Sequence, residues 1–366
     1  MPTNIFNDKN YYLMKNGAGK ILFLLLLTCA SCSSIYRFTV DIQEPAPVTL
    51  PVSAQNVLIL NNTVTQPEDF KIERTVDGQP VSQNYRLSLD SMVWHTADEI
   101  AGVLNDSHFF KTVAVYQDSL RTDTEWFSIP ELSPDDQSDF YNMENFDALF
   151  VIDRLLFSVK ESTKLIKTAF SSGLTAFFDL QTEGIITCSM YVYGKEKPLT
   201  TFTVSDSLNV KTTIYTDSTE LFKEIPESVL QELSRELGYR AAMRFIPTWQ
   251  TVERTIFKGY SARMQEATGY AANRQWENAE SLWTTELGKK TKPVDKAKIA
   301  FNLAVTNEMQ DKLDAALEWV QKAKEQLKNV DQSNNSQEIE LTDKYISVLE
   351  QRIQNNSLLD LQWGKE

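Results

Sequence analysis

Cysteine and histidine are scarce: three and two, respectively, in 366 residues. Three cysteines cannot build a disulfide framework. Neither His95 nor His108 has a second His or a Cys at ligand spacing, which disfavours structural zinc, zinc hydrolysis and His-dependent triads. The sequence lacks G-x-S-x-G, H-E-x-x-H, Walker-type and G-x-G-x-x-G patterns, so no cofactor and no metal is expected. No apolar run approaches the roughly 18 residues of a spanning helix. Bases are also outnumbered, 36 Lys and Arg against 50 Asp and Glu for a net charge of −14. Such a balance repels phosphate backbones and excludes nucleic acid as an expected partner. Glycoside hydrolysis, which needs only two well-placed carboxylates, stays open, although no pair stands out.

The N-terminus carries an address. Lys15 and Lys20 precede seven unbroken apolar residues, Ile21 to Leu27, and small residues follow before Cys32. A positive stretch, a short apolar core and a small-residue cut site make a secretory signal over residues 1–31. Met14 would be a more ordinary start than Met1 for such a signal. The ending Cys29-Ala30-Ser31-Cys32 resembles the lipobox of bacterial lipoproteins, with Cys29 where a Leu is usual. That resemblance implies that Cys32 is lipidated and becomes the mature N-terminus. Ser33 after it, in place of Asp, implies the outer membrane, and the lack of an acidic run nearby implies the periplasmic face. The mature chain is still more acidic once Lys9, Lys15 and Lys20 are gone, so attachment is expected to come from acyl chains rather than charge. Residues 32–53, with Pro45, Pro47 and Pro51, read as an extended tether. Cys188, inside the apolar strand pattern Ile185 to Tyr193, reads as a buried, inert thiol.

Residues 54–247 alternate strand and helix patterns. Asn56–Asn61 and 109–116 read as strands, with an amphipathic helix over 89–104 between them. Residues 118–147 hold nine acids. There Ser133-Pro134-Asp135-Asp136 reads as a helix start, with an N-cap serine, proline at the first position and acids in the first turn, rather than as an acidic site. The stretch 147–159 is apolar on both faces and is expected at the centre of the sheet. Strands over 177–193 and 199–204 follow, joined by a turn at 194–198. Asp217 to Glu220 fits a capping box for a helix running to about Phe245, with Pro226 delaying or kinking it. The order is that of a mixed α/β sheet covered by helices. In its pattern this part resembles the small periplasmic domain of curli-secretion and penicillin-binding-protein-activator lipoproteins.

From Trp249 the composition shifts to helix formers, and residues 248–366 read as an all-α domain. Ala267, Tyr270, Ala279 and Trp283 answer to Ala304, Asn307, Ala316 and Val320 at a constant offset of 37 residues. This resembles the tetratricopeptide repeat, whose period is about 34 residues. The resemblance implies a concave face made by the first helix of each pair: Ser261, Met264, Thr268, Ala271 and Ala272, then Lys298, Phe301, Val305, Glu308 and Met309. Met264, Phe301, Val305 and Met309 would form an apolar groove. An exposed strip of that kind is costly in a monomer, and two repeats fall short of a free-standing array. A groove filled by the chain itself, by the helix 338–353 or the helix ending near Phe245, is therefore expected.

The whole chain resembles envelope lipoproteins that join an α/β domain to such repeats. It is expected to be no enzyme, but a protein-interaction or assembly module anchored by lipid, with protein partners in the envelope. The competing reading is a glycan-binding or carboxylate-dependent hydrolase lipoprotein with a deep pocket in the α/β domain.

Overall fold

The computed structural model describes residues 35–67, 70–80, 89, 91–143, 145–167, 174–216 and 227–365. The signal segment, Cys32 and the helix start expected at Asp217 to Glu220, with Pro226, lie outside the described residues. Two compact units form, each discontinuous in sequence. Of the described residues, the sheet unit comprises those in Gln43–Gln250 and from Asn355 onward, and the helical unit comprises Ile35–Ile42 and Thr251–Gln354.

The sheet unit is organised around one strand. Among the described residues its sheet has seven strands: β2 (Asn56–Asn61), β3 (Ile72–Val76), β4 (Gln79–Pro80), β5 (Thr112–Ser119), β6 (Ala148–Lys167), β7 (Leu174–Val192) and β8 (Thr200–Thr216). On one side of β6, residues 148–152 pair in parallel with β2, and residues 159–163 pair in parallel with β3. On the other side β6 runs antiparallel to β7 over nearly its whole length, and β7 to β8. A bulge at Asp153 interrupts the first of these ladders. The sequence explains the central place: Ala148, Leu149, Phe150, Val151 and Ile152 are all fully buried.

Their alternation feeds two cores. Ala148, Phe150 and Ile152 pack with α1 (Met92–Asp106) and α3 (Glu227–Ala242), through residues such as Ile100, Leu104, Leu233 and Leu237. Leu149 and Val151 pack with Phe140 and Tyr141 of α2 (Pro134–Met143) on the opposite face. The helices approach closely where side chains are missing. A Cβ on Gly184 of β7 would lie 2.7 Å from Leu237, and one on Gly238 of α3 would lie 2.6 Å from the carbonyl of Thr96 in α1. The expected start of α2 is present: the Ser133 hydroxyl accepts from the Asp136 amide at 3.1 Å.

The helical unit corrects two expectations. Residues 35–44, expected as tether, form strand β1 (Ile35–Glu44), paired with β9 (Thr248–Phe257), which falls where the composition predicts the start of the helical region. Both stretches alternate. Tyr36, Phe38, Val40 and Ile42 point inward on β1, and Arg254 and Ile256 on β9. The prolines that mark a spacer come only after β1 ends. Even there the chain is packed, for Ala46, Leu50 and Ala54 are buried in the sheet unit.

After β9 come two helical pairs, α4 (Ala262–Ala272) with α5 (Trp276–Leu287) and α6 (Pro293–Met309) with α7 (Leu313–Leu327), then α8 (Ser336–Gln362). Three of the four repeat pairs are equivalent in packing, while half-buried Tyr270 answers to buried Asn307. Ala267 and Ala304, Ala279 and Ala316, and Trp283 and Val320 are each fully buried where paired helices cross. An Ala at a crossing lets two backbones close up, so the period read in sequence is a packing period.

Candidate functional site

The face expected as a groove is occupied. Met264, Phe301 and Val305 are buried, Phe301 to 2 % exposure, and Met309 is half-buried. The occupants are β9 and α8; the helix ending near Phe245, the other expected filling, belongs to the sheet unit instead. Phe257 of β9 meets the Phe301 ring edge-on at 5.1 Å between centroids, and Tyr345 of α8 lies against it at 5.0 Å. Asn302 closes the end of β9 as a neighbouring strand would. Its side chain accepts from the Phe257 amide at 2.7 Å and donates to the Phe257 carbonyl at 2.8 Å.

Glu308 is the electrostatic centre of this face. Its side chain is wholly buried and takes two hydrogen bonds from the Arg254 guanidinium at 2.7 and 2.8 Å. Tyr345 donates its hydroxyl at 2.5 Å and Arg352 a guanidinium nitrogen at 2.7 Å. Burial pushes the Glu308 carboxyl up, but the Arg254 hydrogen bond and charge, with Tyr345 and Arg352, outweigh it and hold the group below its ordinary value. Burial and the adjacent carboxylate raise the Tyr345 hydroxyl well above its own. One buried anion thus ties β9 and α8 to α6. This is a structural lock, with β9 and α8 seated where Phe301, Val305 and Glu308 lie.

The sheet unit holds an open cleft of about 520 Å³ beyond the C-terminal end of β2, lined in part by Asn61, Thr63, Gln66, Trp94, Arg121 and Asp123. In parallel sheets that is where ligands commonly sit. Here the polar groups serve the loops. Arg121 donates to both Asp123 oxygens and to the carbonyls of Glu125 and Ser128. The Arg121 hydrogen bond is the main reason the Asp123 carboxyl drops to about 2. The Gln66 amide bonds both the N–H and the carbonyl of Phe157, and the Asn61 side-chain Oδ1 accepts from the amide and hydroxyl of Thr63.

Behind the cleft, at the β6 bulge, Asp153 is buried. It accepts from Ser189 at 2.6 Å and from Asn62 at 3.2 Å, with no hydrogen bond from a cation. Burial raises its carboxyl, against the two hydrogen bonds and the nearby Arg154 charge. Cys188 is fully buried beside it, and burial pushes its thiol far up, which makes it a poor nucleophile. His95 sits in α1, and His108 just after it, in the left-handed conformation at φ 54°. Among the described residues no cluster of His, Cys, Asp and Glu is arranged to hold a metal ion.

Sequence pattern places Glu308 on the expected concave face but marks neither Arg254 nor Arg352. Arg254 could have been found from the alternation of Val252, Arg254 and Ile256, which puts a base on the buried side of a strand.

The fold and both faces now define a sheet unit followed by a repeat-like helical unit. The chain belongs to a family described as a domain of unknown function (DUF8603), whose model matches residues 54–257. Residues 265–351 match a second domain of unknown function (DUF6340). No curated protein matches the chain. Among solved structures, a protein from Helicobacter pylori described as a neuraminyllactose-binding hemagglutinin homolog is 10 % identical. The match covers 54 % of this chain and 84 % of that one, with a TM-score of 0.24. A Xanthomonas campestris protein of the DUF330 family model is 11 % identical over 54 % of this chain and 85 % of that one, with a TM-score of 0.17. Likenesses at these scores bear on neither site.

Proposed function

We propose that this chain is a non-enzymatic lipoprotein, anchored through Cys32 at the periplasmic face of the outer membrane, that binds other envelope proteins. The finer resemblances, to lipoprotein α/β domains and to tetratricopeptide repeats, belong to the same reading. The observation that carries it is the use made of polar groups. The donors and acceptors of the cleft hold its own loops, and the groove residues hold β9 and α8, so neither place offers a convergent set for chemistry. Beside the cleft, Phe127 is 71 % exposed at the edge of an aromatic cluster with Trp126 and Phe70. A large exposed ring on a packed aromatic base is the form of an interface anchor.

A photo-crosslinking amino acid at position 127, introduced in the native host, tests this. Discrete protein adducts that disappear when the probe is moved to exposed Glu232 support the reading; the absence of protein adducts overturns it. The anchor is tested separately: Cys32→Ala is expected to release the protein from membranes at high salt.

A second reading, glycan binding in the cleft, is favoured by Trp94 beside Asn61 and Thr63 in one lining. Saturable binding of envelope glycans, lost in Trp94→Ala, would replace the first reading with it.

A further inference from the structure

The correction at β1 changes what lies next to the membrane. If Cys32 carries the lipid, as the reading above has it, two residues, Ser33 and Ser34, separate it from Ile35, the first described residue. Three residue steps reach about 10 Å at most, whatever their conformation. A headgroup layer is about 6 Å thick, so whatever surrounds Ile35 meets headgroups. The surroundings follow from the pairing of β1 with β9. Arg37 contacts Glu253 at 3.5 Å, and Asp41 accepts from Thr251 at 2.6 Å. The contacts run in opposite chain directions, so the strands are antiparallel and Ile35 lies at the end where β9 finishes at Phe257.

Immediately beyond that end come Lys258, Gly259 and Tyr260. The turn is tight, for a Cβ on Gly259 would lie 2.4 Å from Met264. It presents Tyr260 at 97 % exposure. An aromatic ring with a polar tip, free of protein contact, suits the headgroup level of a bilayer.

The same end gathers bases. Glu286, at the end of α5, lies 3.5 Å from the Ser261 hydroxyl, 3.9 Å from Arg263, 3.1 Å from Lys289 and 3.9 Å from Lys290. These contacts fix the loop after α5 beside the start of α4. Lys258 and Lys292 are exposed there as well. Five bases gather there against Glu286, with Glu266 and Asp295 in the same segments, an excess of bases on a chain whose net charge is −14. The acidity of the whole chain conceals a local patch of the opposite sign.

We propose that the end of the helical unit carrying Lys258, Tyr260, Arg263, Lys289, Lys290 and Lys292 is a bilayer-facing surface that takes anionic phospholipid headgroups beside the anchored N-terminus. The acyl chains hold the protein in the membrane, and this surface sets which end of the helical unit meets it.

The test uses the full, lipidated chain in phosphatidylethanolamine–phosphatidylglycerol vesicles containing brominated lipid. A thiol-reactive fluorophore is placed at Tyr260→Cys, or at Asn273→Cys at the far end of α4, about 16 Å away along the helix; Cys188 is buried and stays unlabelled. The label at 260 is expected to be quenched at least threefold more than the label at 273. In the Lys258→Glu, Lys292→Glu background, the quenching at 260 is expected to fall at least twofold while the protein stays membrane-bound. Both lysines are exposed, and an unchanged unfolding midpoint shows that the fold is intact. Equal quenching at the two positions in membrane-bound protein overturns the inference alone, as does indifference to charge reversal. A chain that never enters the membrane fraction of its host overturns this inference and the anchor together.

Discussion

At the scale of single residues, two of the buried carboxylates, Glu308 and Asp153, differ in what surrounds them. Glu308 has Arg254, Arg352 and the Tyr345 hydroxyl. Removing Arg254 takes away the bidentate partner and leaves a wholly buried charge to Arg352 and Tyr345 alone; breaking a buried pair typically costs about 3–5 kcal/mol. Arg254→Ala is expected to destabilise the helical unit by that order in urea unfolding, and a cost near that of an exposed arginine would refute the lock. Because Glu308 is held below its ordinary value of 4.5, its contribution is present above that value and is lost as pH falls through the depressed one. Asp153 behaves oppositely. Its carboxyl is raised from 3.8, with burial the largest cause, so the penalty for ionising it is absent below 3.8 and appears as pH rises through the raised value. Asp153→Asn, which keeps an acceptor for Ser189, should therefore melt at or above the temperature of the parent at neutral pH, with the gap closing in acid. A lower melting temperature at pH 7 would mean that the Asp153 charge is stabilising after all.

Among the elements, the sequence was legible where one pattern dominated. The apolar run at 148–152 announced the central strand, Ser133 and Pro134 announced α2, and the 37-residue offset announced the helical pairs. It was not legible where a short alternation competed with louder signals. Pro45, Pro47 and Pro51 masked β1, and the helix-forming composition after Trp249 masked β9. A strand whose partner is some 210 residues away has no local signature of its pairing. The groove was foreseen as apolar and in need of a filling, because Phe301, Val305 and Met309 share one helix face. That β9 would supply part of the filling depended on a pairing no window could contain. Asn302 is the hinge of that arrangement, since its amide is the polar partner for both the N–H and the carbonyl of Phe257. Asn302→Leu would leave those backbone groups buried without it, at about 1–3 kcal/mol each. We expect faster amide hydrogen exchange at Phe257 and Ile256 in this variant, and unchanged protection there would show that Asn302 does not hold the strand.

For the whole molecule, the consequence of interleaved units is that neither follows a simple cut. The sheet unit recruits the residues after Asn355. Gln362 donates to the Ala46 carbonyl and the Thr49 hydroxyl and accepts from the Ala46 amide, Asn355 donates to Glu44, and Trp363 meets Phe109 edge-on at 5.0 Å. The helical unit in turn draws β1 from the far end of the sequence. A fragment cut at the family boundaries, 54–257, contains every strand of the seven-stranded sheet but loses Gln362 and leaves β9 without β1. Backbone edges left unpaired recruit other chains, and the loss of Trp363 uncovers the Phe109 ring on the core flank. The fragment is therefore expected to aggregate or to melt well below the sheet unit of the full chain. A longer fragment spanning 35–365 is expected to be monodisperse, with light scattering and calorimetry as the measurements. If 54–257 proves soluble and as stable as the sheet unit within the longer chain, the C-terminal residues decorate that unit rather than complete it, and the two families matched here would be separable modules.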